Sequence, residues 1–567
     1  VTTQIDRAQV GERTVTGSVD GCYDIVVVGG GGAGLPAALF SRWLGNTVCV
    51  LEKAHDFGGT ARKAAFWYWV PNNEPMRSLG IVDDRRDCLR YMARLSRPEC
   101  YDPDSATLGL ADWEFSIIEA VYDSASPAAQ LLSERDALPY RHCPDVPDYW
   151  AELPENKAPR GRVLLPRDAG PTMSDGGSVA VGTLTAAAVR DGVEMRTDHR
   201  VTRVLRDGQS VIGVEARTAH GDVRVLARKA VIFATGGFTH NTELRRNYLH
   251  APVFGGCAAV SNEGDFIPIA TQLGAALRNM NYAWMAPLSL EKAVARDPNI
   301  SGMFSVAGDS MIFVNKRGHR VVNEKLAYNE QAQNFFSWDP AAAEYPNLVL
   351  VAVWDQRSQE HSATTEYGRL IVPPGTPDEH VIRGETLAEL SHAIDERLAR
   401  YTKHTGNLRL SADFSANLAA SVARFNEFAR AGKDEDFGRG ERAVEQLFNG
   451  PVRPEPASRN PTMYPLSDSG PYYAALVTGG TLDTKGGPKT TADGRVLDVD
   501  DKVIAGLYGV GNCVASPSAR AYWAGGATLG PIIALAYRAA LAANDEPARA
   551  MPRDLASDAE PPLVQQL

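Results

Sequence analysis

The sequence is poor in the features that mark several large protein classes. Its seven cysteines, Cys22, Cys49, Cys88, Cys100, Cys143, Cys257 and Cys513, are scattered along 567 residues without a close pair. Zinc and iron–sulfur sites need clustered thiolates, so no metal site is expected. The same dispersal reads as reduced thiols in a cytoplasmic protein rather than as a disulfide framework. No basic stripe accompanies the formal charge of −11 and pI near 5.6, and nucleic acid is therefore not an expected partner. The first twenty residues hold no apolar signal core. The most apolar late stretch, Ala527–Ala543, is short for a bilayer and carries Arg538, so no transmembrane segment is expected. Internal repeats and low-complexity tracts are also missing.

What is present is a chain long enough for two or more domains, with an ordinary 44% hydrophobic content. Its most informative unit begins at Ile25–Val28, an apolar run without alternation, which suits a parallel strand buried on both faces. The run stops at glycine. Gly29, Gly31 and Gly34 stand in the G-x-G-x-x-G register: a tight turn, a close approach of backbone to a pyrophosphate, and close packing of helix on strand. Gly32 and Ala33 lie in the same turn, where bare N–H groups and the helix dipole attract phosphate charge by about 0.3–1 kcal/mol. Val48–Leu51 supplies a second strand. Glu52 at its end, followed by Lys53, lies where a carboxylate accepts the hydroxyls of an adenosine ribose. Strand, glycine turn, helix, strand and acid together predict a dinucleotide site in a Rossmann-like α/β domain.

Further along, Val201–Val214 reads as strand, turn and strand, and Lys229–Gly237 as an apolar strand ending in Ala-Thr-Gly-Gly. Between these units a section with seven prolines from Pro139 to Pro171 is too long to be an incidental connection. Residues 311–323 read as a hairpin, Ile312–Asn315 and Arg320–Asn323. Gly506–Asn512 reads as another strand entering a glycine turn, and Gly526–Ala543 as a closing helix. The expected organisation is a tail (1–20), a cofactor domain in two parts (21–280 and 466–545), an inserted α+β catalytic domain (281–465) and a second tail (546–567).

Two late glycine motifs, Gly236-Gly237 and Gly509–Asn512, fit an extended FAD that touches several loops better than a nicotinamide cofactor. Gly29–Gly34 with Glu52, Gly58-Gly59-Thr60, Ala234-Thr235-Gly236-Gly237-Phe238 and Gly506–Asn512 resemble the fumarate reductase and succinate dehydrogenase flavoprotein superfamily. Within it, Gly470–Ala475, Leu482-Asp483-Thr484-Lys485-Gly486-Gly487 and Tyr522–Pro531 resemble segments of the 3-ketosteroid Δ1-dehydrogenases: Pro-Tyr-Tyr-Ala, Leu-Gly-Thr-Lys-Gly-Gly and Tyr-Pro-Gly-x-Gly-Ala-Thr-Leu-Gly-Pro. The resemblance implies FAD contacts at Gly59, Thr60, Thr235, Gly236, Gly511, Asn512, Thr528 and Leu529, besides the residues above. Gly58–Phe66 contains no histidine for covalent attachment, so the FAD is expected to be noncovalent.

Desaturation beside a ketone needs a base for the α-proton, donors for the enolate oxygen and a hydride acceptor. The resemblance implies that Tyr328 is the base, that Tyr149 assists it, that Tyr522 and the N–H of Gly526 hold the ketone oxygen, and that flavin N5 takes the hydride. The implied substrate is an apolar cyclic ketone, most simply a 3-ketosteroid desaturated at its 1,2-bond; the electron acceptor is unspecified. Three departures bear on the substrate: Trp523 stands for proline, Asn323–Tyr328 reads Asn-Glu-Lys-Leu-Ala-Tyr for Asn-Glu-Ser-x-Pro-Tyr, and Lys63–Trp69 replaces a glycine-rich entry. That aromatic run suits either a pocket wall or a core. Two alternatives stay open, a fumarate-reductase-like reductase of an activated alkene and a flavin-binding protein without turnover. A phenol at 328, where those reductases carry a proton-donating arginine, suits an uncharged ketone.

Overall fold

The computed structural model describes residues 19–170, 175–298, 308–361, 379–449 and 458–550. Strand Gly21–Val28 sits inside a largely parallel sheet ordered Arg495–Leu497, Val503–Gly509, Gly221–Phe233, Gly21–Val28, Val48–Leu51 and Glu194–Arg196. The antiparallel pair Arg200–Asp207 and Ser210–Thr218 continues from Gly221–Phe233. Alternate residues explain the unbroken apolar run. Ile25 and Val27 face the helices, packing with Leu35, Leu39, Leu184 and Ile533, while Val26 and Val28 face Val211, Val214 and Phe266 on the other side. Helices Gly34–Trp43, Gly176–Arg190 and Leu529–Asn544 form the covering layer.

A second, antiparallel sheet runs Ala283–Ser289, Tyr472–Thr484, Val349–Asp355 and Met311–Val314, with Ile382–Gly384 also paired to Tyr472–Thr484. One face packs against helices Leu387–Ala399 and Phe414–Ala431 through Leu390, Ile394, Leu418 and Phe425. Two sequence expectations shift here. Tyr472–Thr484 lies beyond the expected 465/466 boundary yet knits this second sheet together, and the chain rejoins the cofactor sheet only at Arg495–Leu497. Met311–Val314 pairs along its length with Val349–Asp355, and Arg320 meets only Val314, in a single bridge, so the expected hairpin is reduced to a turn. Its second arm is drawn off because the Arg320 guanidinium binds Glu324 and Asp434.

The proline-rich section contains strands Tyr140–Cys143 and Val163–Pro166, which form a small sheet with Tyr68–Trp69. Among the described residues, no helix is long and apolar enough to cross a membrane.

Candidate active site

The glycine turn is where the sequence-distant cofactor motifs converge. Gly31 forms a bridge with Gly58, Gly32 lies against Leu529, and Ala33 lies against Gly511. A Cβ at Gly34 would stand 1.8 Å from the Gly29 carbonyl oxygen, so only glycine lets the helix approach the strand. Gly31 is different: a Cβ there would meet nothing nearer than the Gly58 oxygen at 3.7 Å. Its bareness leaves a cradle open beside the N-terminus of Gly34–Trp43. That helix has no side-chain cap and no acid in its first turn, and the N–H groups of Gly32 and Ala33 donate to none of the described residues. Helix end and open backbone together fit a pyrophosphate.

Glu52 is buried and fixed by the N–H groups of Gly30 (2.8 Å) and Ala54 (2.9 Å). Lys53 is ion-paired with Glu263 and Asp265. The Thr60 hydroxyl accepts from the N–H of Ala259 (3.0 Å) and from Asn262 (3.3 Å), and Asn262 in turn packs against Gly236, beside Thr235. Asn512 accepts from Trp284 Nε1 at 3.1 Å. Thr528 turns toward the tyrosines, its hydroxyl 3.3 Å from that of Tyr522.

Three phenols from distant parts of the chain meet in one cluster. The Tyr149 hydroxyl donates to the Tyr328 hydroxyl at 2.7 Å. Ring centroids are 5.5 Å apart for Tyr149 and Tyr328, 5.4 Å for Tyr149 and Tyr522, and 5.3 Å for Tyr328 and Tyr522, all edge to face. Phe448 and Trp284 close the sides. Burial pushes Tyr328 and Tyr149 well above the ordinary phenol range. Tyr522 is also raised by burial, a rise moderated by hydrogen bonds with Thr528 and Tyr328.

Each phenol is held by structure that the sequence reading passed over. Tyr328 opens helix Tyr328–Gln333, and the turn before it is anchored by Glu324, which accepts from the Phe313 N–H and binds Arg320 and Arg439. Those opposite charges hold the Glu324 carboxyl at about 2 despite its burial. Beside Tyr149, the buried Asp148 binds Arg162 and Trp69 Nε1, and Arg162 also binds Asp83. Tyr522 is flanked by carbonyls that Lys485 grips: its ammonium donates to Ala519 and Ala521 and lies 3.8 Å from the centre of the Trp284 ring. Burial drives the Lys485 ammonium well below its usual pKa.

Gly526 has φ +84°, and a Cβ there would come 2.5 Å from the Trp67 carbonyl carbon. Its N–H donates to none of the described residues, while its carbonyl accepts from Trp69. The aromatic run divides by parity. Phe66 and Tyr68 enter the helix-covered core, whereas Trp67 and Trp69 join the tyrosine-side cluster. Trp67 covers the Gly525–Gly526 turn, a ring atom standing 2.5 Å from where a Gly525 Cβ would be. Trp523 points away, its Nε1 donating to Ser96 at 3.1 Å in the core. Of the departures in the sequence, Trp67 therefore covers the site with its ring, whereas Trp523 meets it through the backbone, its carbonyl accepting from the Tyr149 N–H at 3.2 Å. Asp483 is a further residue that sequence reasoning missed. Its carboxyl, pushed up by burial and pulled back by donors from Gly237, Thr484, Asn512 and Thr239, lies among the loops expected to hold the cofactor.

A doubly covered parallel sheet, a bare glycine turn and a phenol cluster define a flavoprotein oxidoreductase. Residues 24–529 match the family described as FAD binding domain, and the chain belongs to that family, within the fumarate reductase and succinate dehydrogenase flavoprotein superfamily. It is 30% identical to 4-oxocyclohexanecarboxylate 2-dehydrogenase of Sinomonas cyclohexanicum, with 97% of this chain and 99% of that protein covered. It is 28% identical to 3-oxosteroid 1-dehydrogenase of Mycobacterium tuberculosis (strain ATCC 25618 / H37Rv), with 92% and 98% covered. Among solved structures, 3-ketosteroid delta1-dehydrogenase from Sterolibacterium denitrificans in complex with 1,4-androstadiene-3,17-dione superposes with a TM-score of 0.77 at 24% identity, covering 92% of this chain and 99% of that one. The chain is an FAD-dependent oxidoreductase acting on CH–CH groups.

Proposed function

We propose that the chain introduces a carbon–carbon double bond beside a ring ketone, at the 1,2-bond of a 3-ketosteroid. Tyr328 takes the α-proton, Tyr149 assists by donating to the Tyr328 oxygen, and Tyr522 with the Gly526 N–H holds the ketone oxygen. The observation that carries this reading is the 2.7 Å hydroxyl contact between Tyr149 and Tyr328, made in ring contact with Tyr522. A donor to the Tyr328 oxygen stabilises its phenolate. The undonated Gly526 N–H, held in a left-handed turn, suits an enolate oxygen, and such a donor is worth about 2.7–4 kcal/mol in a transition state.

FAD, when bound without a covalent link, supplies the acceptor for the hydrogen that leaves the adjacent β-carbon with its electron pair. The turn Gly29–Gly34, Glu52, the Gly58–Thr60 turn and the Gly511–Leu529 segment would hold it. A second reading of the substrate is a single-ring ketone, favoured by the bulk of Trp67 over Gly525–Gly526 and by the name of the 30%-identical relative.

Anaerobic mixing tests both. Bleaching of the oxidised flavin by 4-androstene-3,17-dione supports the steroid reading, and bleaching by 4-oxocyclohexanecarboxylate alone supports the single ring. If neither ketone bleaches it while fumarate reoxidises the prereduced flavin, the desaturation is wrong.

A further inference from the structure

Asp483 stands where the resembled Leu-Gly-Thr-Lys-Gly-Gly segment has glycine, and it is almost wholly buried, 2% exposed. Its Oδ2 accepts from the Gly237 N–H (3.0 Å), Asn262 Nδ2 (2.8 Å) and Asn512 Nδ2 (3.1 Å). Oδ1 accepts from the Thr484 N–H (2.9 Å) and the Thr239 hydroxyl (3.1 Å). Every partner is a donor, so the carboxylate is the one group that satisfies them all; an amide would turn an N–H against an N–H.

The partners are not local. Gly237 closes the Ala234–Phe238 loop, Asn262 reaches on to the Thr60 hydroxyl at 3.3 Å, and Asn512 belongs to the glycine turn after strand Val503–Gly509. The chain of contacts then leaves the cofactor loops. The Asn512 oxygen accepts from Trp284 Nε1 at 3.1 Å, and the Trp284 ring lies edge to face on Tyr522 with centroids 4.8 Å apart.

We infer that Asp483 is a positioning residue that holds the loops expected around the flavin and the ketone-binding Tyr522 in one frame, acting on Tyr522 through Asn512 and the Trp284 N–H. The Tyr522 half rests on the function proposed above; the cofactor half does not.

The test uses the full chain with Asp483→Asn, Trp284→Phe and Tyr522→Phe, alone and combined. FAD affinity is read by reconstituting flavin-free protein, and ketone affinity by perturbation of the oxidised flavin spectrum with 4-androstene-3,17-dione and 4-oxocyclohexanecarboxylate. Loss of a hydrogen bond to a charged group makes the expected rise in the FAD dissociation constant of Asp483→Asn about tenfold. In FAD-saturated protein the ketone dissociation constant should rise by a similar factor, and that rise should fall below about twofold when Tyr522 is already Phe. Trp284→Phe, which deletes the N–H and keeps an aromatic ring, should weaken ketone binding and leave FAD affinity within about twofold. Unchanged FAD affinity in Asp483→Asn overturns the inference, as does a ketone effect that persists without the Tyr522 hydroxyl. If Tyr522→Phe itself binds ketones normally, the proposed role of Tyr522 fails, and the FAD measurement still decides whether Asp483 holds the cofactor loops. Trp284→Phe reads the link should Asp483→Asn not fold.

Discussion

Tyr328 is half-buried among phenols, and those surroundings hold its pKa above the ordinary phenol range, which makes it the most exposed point of the proposed mechanism. Tyr328→Phe removes one oxygen and keeps the ring contacts with Tyr149, Tyr522 and Phe448. The flavin should stay bound, with an unchanged visible spectrum, while kcat falls by about 10²–10⁴, the usual worth of a positioned base. The pH dependence follows from burial. Because the Tyr328 pKa is raised, its phenolate is scarce at neutral pH and becomes more abundant as pH rises. The rate constant kcat/KM should therefore climb roughly tenfold per pH unit from about pH 7 to 9; a flat profile would remove Tyr328 as the base. Tyr328 and Tyr522 were legible as candidates because each lies in a recognisable local motif, whereas Tyr149 lies in the proline-rich section. Asp483 and Lys485 also lie within such a motif, yet their surroundings stayed hidden, because a buried charge is defined by what packs around it. The Asp483 donors Gly237 and Asn262 lie 246 and 221 positions away, and the carbonyls gripped by Lys485 belong to the loop before Trp523.

At the scale of elements, the first strand, glycine turn and helix were legible because one local pattern sets all three. The second sheet was not. Tyr472–Thr484 is buried on both edges and faces, so it shows neither alternation nor a turn that would separate it from the glycine motifs that follow. The turn leading to Tyr328 depends on a charge cluster that sequence spacing does not reveal: Glu324 joins strand Met311–Val314 to Arg320 and Arg439. This cluster makes a prediction with a defined sign. The Glu324 pKa is depressed from 4.5 to about 2 on folding, so its contribution to stability is complete above about 4.5 and disappears as pH falls toward 2. Compared with Glu324→Gln in urea unfolding, the native protein should hold a clear advantage at pH 7, and that advantage should shrink steadily below pH 4.5. An advantage that is constant from pH 7 to 3 would mean that Glu324 acts through packing rather than through its charge.

Across the whole molecule, the cofactor sheet is assembled from strands as far apart in sequence as Gly21–Val28 and Val503–Gly509, and its glycine turn touches segments near residues 58, 511 and 529. A ligand seated there fastens pieces of chain that have no covalent reason to stay together. Binding to the folded form alone stabilises it by RT ln(1 + [L]/Kd), about 4 kcal/mol at a thousandfold excess over Kd. Removal of FAD should therefore lower the unfolding temperature, and adding it back should raise that temperature in proportion to the logarithm of its concentration. Gly34→Ala separates this linkage from general stabilisation by flavin. Its Cβ would strike the Gly29 oxygen and pry the helix N-terminus from the strand that aims it, while the second sheet and the tyrosine cluster lie elsewhere. Thermal scans of that variant should show a transition that no longer responds to FAD. A normal, FAD-dependent shift in Gly34→Ala would place the cofactor's anchoring outside the glycine turn.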